Sequence, residues 1–254
     1  MVRLSVNINK IATLRNSRIP PEDHAEYSGV PSMERALRVC LEAGAPGITV
    51  HPRQDQRHIT PADVRLVAEH LAPLRDTVEF NIEGDPRPDL LALAHEVKPH
   101  QLTLVPVRPG EVTSEAGWPA DTPRAELGQT IADAQAAGMR VSVFVEANPQ
   151  AVRWAADMGA DRIELYTEPY AAACRQGPEA AELSMGRFRE AALLAHELGL
   201  GINAGHDLDL DNLVLFRELP HLDEVSIGHA IMAEAVFEGL GTVVRRYLEL
   251  LAPA

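Results

Sequence analysis

Apolar and polar positions alternate along this chain in blocks of two lengths. Short runs of five to seven residues are apolar and β-branched; longer runs are rich in Ala, Leu, Glu and Arg at helical spacing. The short runs predict strands at LSVNIN (4–9), GITVH (47–51), EFNIE (79–83), LTLVP (102–106), RVSVFVE (140–146), RIELY (162–166), GINAGH (201–206) and EVSIGH (224–229). The longer runs predict helices near 32–43, 61–72, 87–96, 123–137, 149–158, 180–198, 210–218 and 232–251. Ser32 and Thr60 suit helix N-caps, with Pro61 at a first helical position. Gly44, Gly138, Gly159 and Gly199 follow helical runs as stop signals.

Strict alternation of strand and helix implies parallel strands. Eight such units with no break in composition predict closure into a (β/α)8 TIM barrel with additional helices, a single domain over residues 1–254. A barrel of this type typically needs about 250 residues. A doubly wound open sheet is the second choice, and no GxGxxG follows the first strand to support it. The least regular stretches, 16–31 and 106–122, fall between strand and helix, where a barrel carries its active-site loops and lids.

Charge narrows the partners. With 23 basic and 37 acidic residues the formal net charge is −14, which argues against general affinity for nucleic acid or an anionic membrane. An anionic substrate would need a locally positive pocket. Two cysteines, Cys40 and Cys174, form no CxxC and fit a reducing compartment. The start lacks a signal-peptide core and no run is long enough to span a bilayer, so the expectation is a soluble, cytoplasmic protein.

In a barrel the C-terminal ends of all strands meet at one mouth. Asn7, Asn9 and Lys10 would come there from the first strand, His51 from the second, Glu83 from the third and Glu164 from the sixth. His206 ends the seventh strand and Gly228-His229 the eighth; Arg18, Arg53 and His58 lie in loops just beyond. Each has a plainer reading as a hydrogen-bonded or solvated structural residue. Glu83 and Glu164, however, sit inside apolar runs, where a buried carboxylate needs a partner or a raised pKa. Three chemistries compete. The first is acid/base catalysis on a phosphorylated small molecule, with backbone N–H groups at Gly205 and Gly228 for phosphate. The second is a metal site of His51, Glu83 and His206, poorly served by the neighbouring Arg53. The third is a barrel that only binds a ligand or partner.

The segments VNINKIATLRNSR (6–18), GITVHPRQDQRHIT (47–60), FNIEG (80–84) and KPHQLTLVP (98–106) resemble the pyridoxine 5′-phosphate synthase family. So do EVTSEAGW (111–118), RIELYTEPYA (162–171), INAGHDL (202–208) and VSIGHAI (225–231). The resemblance runs nearly end to end. It implies a TIM-barrel transferase of vitamin B6 biosynthesis, usually an octamer, needing no metal or cofactor. The implied reaction joins 3-amino-2-oxopropyl phosphate to 1-deoxy-D-xylulose 5-phosphate, giving pyridoxine 5′-phosphate, inorganic phosphate and water. By motif position it implies that His51 is the first general base, Glu83 the second and His206 the general acid, with Glu164 stabilising charge in the transition state. Asn7, Arg18, Asp207 (through its backbone) and Gly228-His229 match the amino-ketone phosphate site; Arg53, His58 and Thr113 match the deoxyxylulose phosphate site. The alternative within the same fold is another phosphosugar lyase or isomerase.

The chain also departs from the family pattern. Asn9-Lys10 stand where many members carry Asp-His, and Asp207 stands where a Gly is common. The stretch between His58 and Glu83 is longer than usual, making Glu79 a rival for the second base. The loop IPPEDHAEYSGVP (19–31) is also extended.

Overall fold

The structure, a computed structural model, describes residues 2–18, 31–107 and 114–253. Eight parallel strands close into a barrel in chain order: β1 (Arg3–Asn7), β2 (Gly47–Val50), β3 (Glu79–Gly84), β4 (Gln101–Leu104), β5 (Arg140–Val145), β6 (Arg162–Leu165), β7 (Gly201–Ala204) and β8 (Leu222–Ile227), which pairs back onto β1. The helices are α1 (Asn9–Asn16), α2 (Met33–Glu42), α3 (Pro61–Leu71), α4 (Pro88–Val97), α5 (Arg124–Ala136) and α6 (Pro149–Met158), then α7 (Glu168–Gln176), α8 (Pro178–Glu197), α9 (Leu213–Phe216), α10 (His229–Glu238) and α11 (Leu240–Leu251). The barrel expected from strand–helix alternation is therefore present, and all eight strands fall where the apolar runs placed them. Among the described residues no helix is long and apolar enough to cross a membrane.

The punctuation signals operate as their chemistry demands. Ser32 accepts a hydrogen bond from the Arg35 N–H, and Thr60 and Asp63 form a reciprocal capping box with Pro61 in the first turn of α3. Three elements differ from the pattern reading. The first strand stops at Asn7 rather than 9, because the Asn9 side chain turns back to accept the His51 N–H at 2.8 Å and α1 begins there. The stretch 168–176 is a helix, α7, that the apolar spacing did not separate from its loop. The expected helix over 232–251 is two, broken at Gly239, whose φ of 84° lies in the left-handed region that ends helices.

The apolar core lies outside the barrel, between sheet and helices. Leu4, Val6, Ile48, Ile82, Val143 and Ile202 face outward and are fully buried there. The alternate, inward positions are mostly polar, with Phe144 an exception, unlike the branched aliphatic layers usual in this architecture. Ser5 and Thr49 share a hydrogen bond of 2.7 Å; Asn81 donates to Thr49, Thr103 to Asn81 and Gln101 to Thr103. Across the barrel the Asn203 amide donates to Gln101 at 3.3 Å. Satisfied networks of this kind fix rotamers and register, because each broken link would leave a buried polar group unpaired.

At the end of the barrel away from the mouth, Glu79 is held by hydrogen bonding to Arg140 and lies 3.6 Å from Arg3. Four residues separate it from Glu83, about 13 Å along a strand, so the two carboxyls face opposite ends of the barrel. Glu224 lies near it, and both of its carboxylate oxygens are buried without a hydrogen-bond partner. Burial, with the Glu79 charge adding, pushes Glu224 up to about 8. Unfolded, the same group titrates at about 4.5, so between those values the folded chain holds an extra proton. That contribution to stability is full below 4.5 and is lost as pH rises through 8. Glu224→Gln is expected to match the parent in thermal melts at pH 5 and to melt higher at pH 9, by roughly 4–8 °C for an effect of about 2 kcal/mol.

Candidate active site

The residues around the mouth are placed by three devices. The ends of β1, β2, β3 and β6 carry Asn7, His51, Glu83 and Glu164 inward by simple two-residue alternation. The loop after β2 is held by α1. Asn16 donates to the carbonyls of Gln56 and His58, and Arg15 forms a bidentate pair with Asp63 at 2.6 and 2.8 Å under the capping box of α3. The turn after β7 is closed by Leu208 N–H donating to the Gly205 carbonyl at 3.0 Å. A Cβ on Gly205 would sit 2.0 Å from the Ser226 carbonyl oxygen, so only glycine lets β7 and β8 approach so closely here.

Glu83 is the hub. Asn7 donates to one of its oxygens at 3.3 Å and Ser226 to the other at 3.4 Å, and His51 Nδ1 lies 3.7 Å away. Burial pushes the Glu83 carboxyl up to about 8, against the opposing Ser226 hydrogen bond and with the Glu224 charge adding. Glu164, equally buried, is raised well above the usual carboxylate range by desolvation and then by Glu83, with His206 opposing. Glu83 is therefore mainly protonated at neutral pH and lies near enough to neutrality to exchange protons, and burial favours the protonated form of Glu164.

The two imidazoles at 51 and 58 are kept neutral. Burial drives His51 well below 6.5, helped by His58, Arg53 and Arg87 and opposed by Asp55. Its Nε2 is buried with no hydrogen-bond partner. His58 is lowered to about 4 by burial, then by Arg53 and Lys10. Its Nδ1 accepts the Ile59 N–H at 2.9 Å, which leaves Nε2–H as a neutral donor. The two rings meet edge to face with centroids 6.1 Å apart.

His206 stands at the opposite rim. Its ring packs on Tyr166, centroids 5.7 Å apart, and Tyr166 packs on Phe144 at 5.5 Å. Thr167 Oγ1 donates to the His206 carbonyl, and Nδ1 donates to the Asp207 carboxylate at 2.7 Å. Gly228 precedes α10, whose first-turn N–H groups open toward the mouth beside Asn7; a Cβ at 228 would lie 2.9 Å from the Asn7 carbonyl oxygen. His229 is exposed on that first turn.

Sequence reasoning therefore placed Asn7, His51, Arg53, His58, Glu83, Glu164, His206, Asp207, Gly228 and His229 around one mouth, and the structure brings these together. Asn9 serves the backbone of His51, and Lys10 lies on α1 close enough to bias His58 electrostatically. Arg18 is exposed just past α1, and no contact among the described residues ties its side chain to the others. Thr113 lies outside the described residues. Sequence reading missed Ser226, Tyr166 and Arg87. Ser226 stands two residues from inward Glu224 on β8, and Tyr166 two residues past inward Glu164 just beyond β6, a signal that alternation offers. Arg87, which donates to the Pro52 carbonyl at 2.6 Å, carries no such signal. Among the described residues no three His, Cys, Asp or Glu side chains are arranged to hold a metal ion.

A family model described as "Pyridoxal phosphate biosynthesis protein PdxJ" matches residues 4–253. The chain belongs to the PdxJ family. Its similarity to curated members is high and runs end to end. It is 48% identical over 252 residues to the pyridoxine 5′-phosphate synthase of Bacteroides thetaiotaomicron, covering 99% of this chain and 100% of that one. It is 47% identical over 253 residues to that of Porphyromonas gingivalis, with the same coverage. Among solved structures, phosphoribosyl anthranilate isomerase from Thermotoga maritima aligns with a TM-score of 0.59 at 16% identity, covering 99% of this chain and 98% of that one. A mutant tryptophan synthase α-subunit from Pyrococcus furiosus aligns with a TM-score of 0.60 at 11% identity, covering 98% and 96%. At that identity these two share with the PdxJ chain only its fold.

Proposed function

We propose that this PdxJ-family chain is a pyridoxine 5′-phosphate synthase, a single-domain enzyme of vitamin B6 biosynthesis. It condenses 3-amino-2-oxopropyl phosphate with 1-deoxy-D-xylulose 5-phosphate. The observation that carries this reading is the convergence of His51, Glu83, Glu164 and His206, four proton-exchanging groups from four strands, at one barrel mouth.

The reaction asks for such a set. A primary amine adds to a ketone and water leaves; protons move along the carbon skeleton; phosphate departs; an aldol-type closure and loss of a second water complete the aromatic ring. Neutral His51, with its buried Nε2, takes the first proton. Glu83, near 8, accepts and returns a proton at neutral pH. His206 donates to a departing oxygen, and Glu164, on the neighbouring strand, stabilises the charge that develops. The phosphates are anions, and the mouth supplies donors rather than a bulk positive charge. Arg53 and the His58 Nε2–H face one end, at the phosphate that family resemblance also assigns to Thr113. The N-terminus of α10 at Gly228-His229, with Asn7, Arg18 and the Asp207 backbone, serves the other. Lys10 adds a positive charge on the His58 side.

The enzyme acts as a homo-oligomer, by family resemblance an octamer, in the cytoplasm. Val236 and Phe237, 75% and 86% exposed at the end of α10, support an assembly that covers them. The test of function is stoichiometry. With both substrates present, one equivalent of inorganic phosphate is expected per turnover; with either alone, none. Phosphate release, or isomerisation, from a single substrate would instead favour a lyase or isomerase on the same fold.

A further inference from the structure

Asp207 occupies a backbone conformation that glycine holds more easily. Its φ is 64°, in the left-handed region that disfavours side chains by about 1–2 kcal/mol per residue. It is the third residue of the turn closed by Leu208 N–H on the Gly205 carbonyl, a position where glycine is the unstrained choice. The Asn212 side chain pins its carbonyl at 3.0 Å. From that position the carboxylate reaches back to its neighbour and accepts the His206 Nδ1–H at 2.7 Å. The other face of the imidazole is set by Tyr166, and its backbone by Thr167. A carboxylate spent on an adjacent imidazole is turned away from any phosphate held by the backbone of the same turn.

We propose that the Asp207 carboxylate is a positioning group for His206, locking its Nδ1–H tautomer so that Nε2 is the atom that delivers the proton. The inference rests on the reading of His206 as the general acid and deepens it. When the imidazolium gives its Nε2 proton to the departing oxygen, the ring is left neutral with Nδ1–H still bonded to Asp207, ready to take one proton back at Nε2. The groups that face this pair are Glu164 and Tyr166 from the β6 end, Arg175 on α7 and His229 on α10. Burial raises both Glu164 and Tyr166, the latter to about 12, and so favours their uncharged forms. Asp207 itself is held below the usual carboxylate range, first by the His206 hydrogen bond. It is therefore the ionised carboxylate in contact with the ring.

Asp207→Gly, Asp207→Asn and His206→Ala in the full chain test this, with both substrates and kcat followed against pH. In Asp207→Gly, which relieves the backbone and removes the anion, the thermal midpoint is expected to hold or rise. Its kcat falls about 10-fold at the optimum, KM changes less than about 2-fold, and the His206 ring no longer holds a single Nδ1–H tautomer by nitrogen-15 NMR. In Asp207→Asn the amide oxygen keeps the hydrogen bond without the charge, so the tautomer is retained and kcat at the optimum stays within about 3-fold of the parent. Nitrogen-15 NMR of the parent above the titration is expected to show His206 as the Nδ1–H tautomer. A parental kcat and an unchanged Nδ1–H tautomer in Asp207→Gly, with His206→Ala inactive, would overturn the positioning role while leaving the acid assignment standing. Parental activity in His206→Ala would overturn both.

Discussion

His51→Ala is expected to lower kcat/KM by about 10²–10⁴-fold while the protein still folds. The loss follows from what the ring is. It is buried at the end of β2, its Nε2 has no partner in the protein, and its surroundings hold it neutral to well below 6.5. A neutral imidazole kept dry and unsatisfied is ready to take a proton, and no neighbour can substitute. His58 has its own Nδ1 engaged by the Ile59 N–H and is shifted to about 4. The fold should tolerate the change, because the ring's unsatisfied nitrogen contributes no hydrogen bond to lose. Stability has its own signature. The unfolded chain protonates this histidine at about 6.5 and the folded chain does not, so the stability tied to the neutral ring is present above 6.5 and is lost as pH falls. His51→Ala should therefore lose less stability than the parent between pH 7 and pH 5. Loss in kcat with an unchanged KM would place the role in chemistry; near-parental turnover would remove His51 from it.

Glu83→Gln is the second large effect, again about 10²–10⁴-fold in kcat. The substitution preserves shape. The amide oxygen can still accept from Asn7, and its NH₂ can donate to the Ser226 hydroxyl, which rotates to accept. What disappears is a proton that comes and goes near neutrality. The folded parent holds that proton up to about 8 against an ordinary 4.5, so its stability contribution is complete below 4.5 and is lost as pH rises through 8. Glu83→Gln should consequently be inactive and yet melt higher than the parent at pH 9. Activity and alkaline stability moving in opposite directions separates a catalytic carboxyl from a structural one. Activity and stability falling together in melts and assays would mean that Glu83 mainly holds Asn7 and Ser226 in place.

Much of the barrel was legible because each unit carries its own punctuation. Thr60-Pro61 with Asp63 starts α3, and Gly159 and Gly199, with φ of 87° and 79°, follow α6 and α8. The strand ends were legible for the same reason: once the strands are parallel, alternation decides which side chains face the mouth. Short-range competition was not legible. The alternating VNIN reads as strand up to Asn9, but the Asn9 amide oxygen is claimed by the His51 N–H, a contact between residues far apart in sequence. The choice between Glu79 and Glu83 also needed three dimensions. Arg140 and Arg3 hold the first at the far end of the barrel, whereas Asn7, Ser226 and His51 surround the second. The polar barrel interior was half-visible, in Ser, Thr, Asn and Gln at every second strand position, but apolar runs dominated the reading. The direction of the Asp207 carboxylate could not be read at all, because it depends on a left-handed φ at that residue.

The most direct measurement is mass spectrometry of the product formed when purified protein is given both 3-amino-2-oxopropyl phosphate and 1-deoxy-D-xylulose 5-phosphate. Pyridoxine 5′-phosphate, accumulating over many turnovers and absent from either substrate alone, is the predicted result. Folded protein that binds both phosphates and yields no pyridoxine 5′-phosphate would contradict the proposed reaction and return the mouth of the barrel to an isomerase or a binding site.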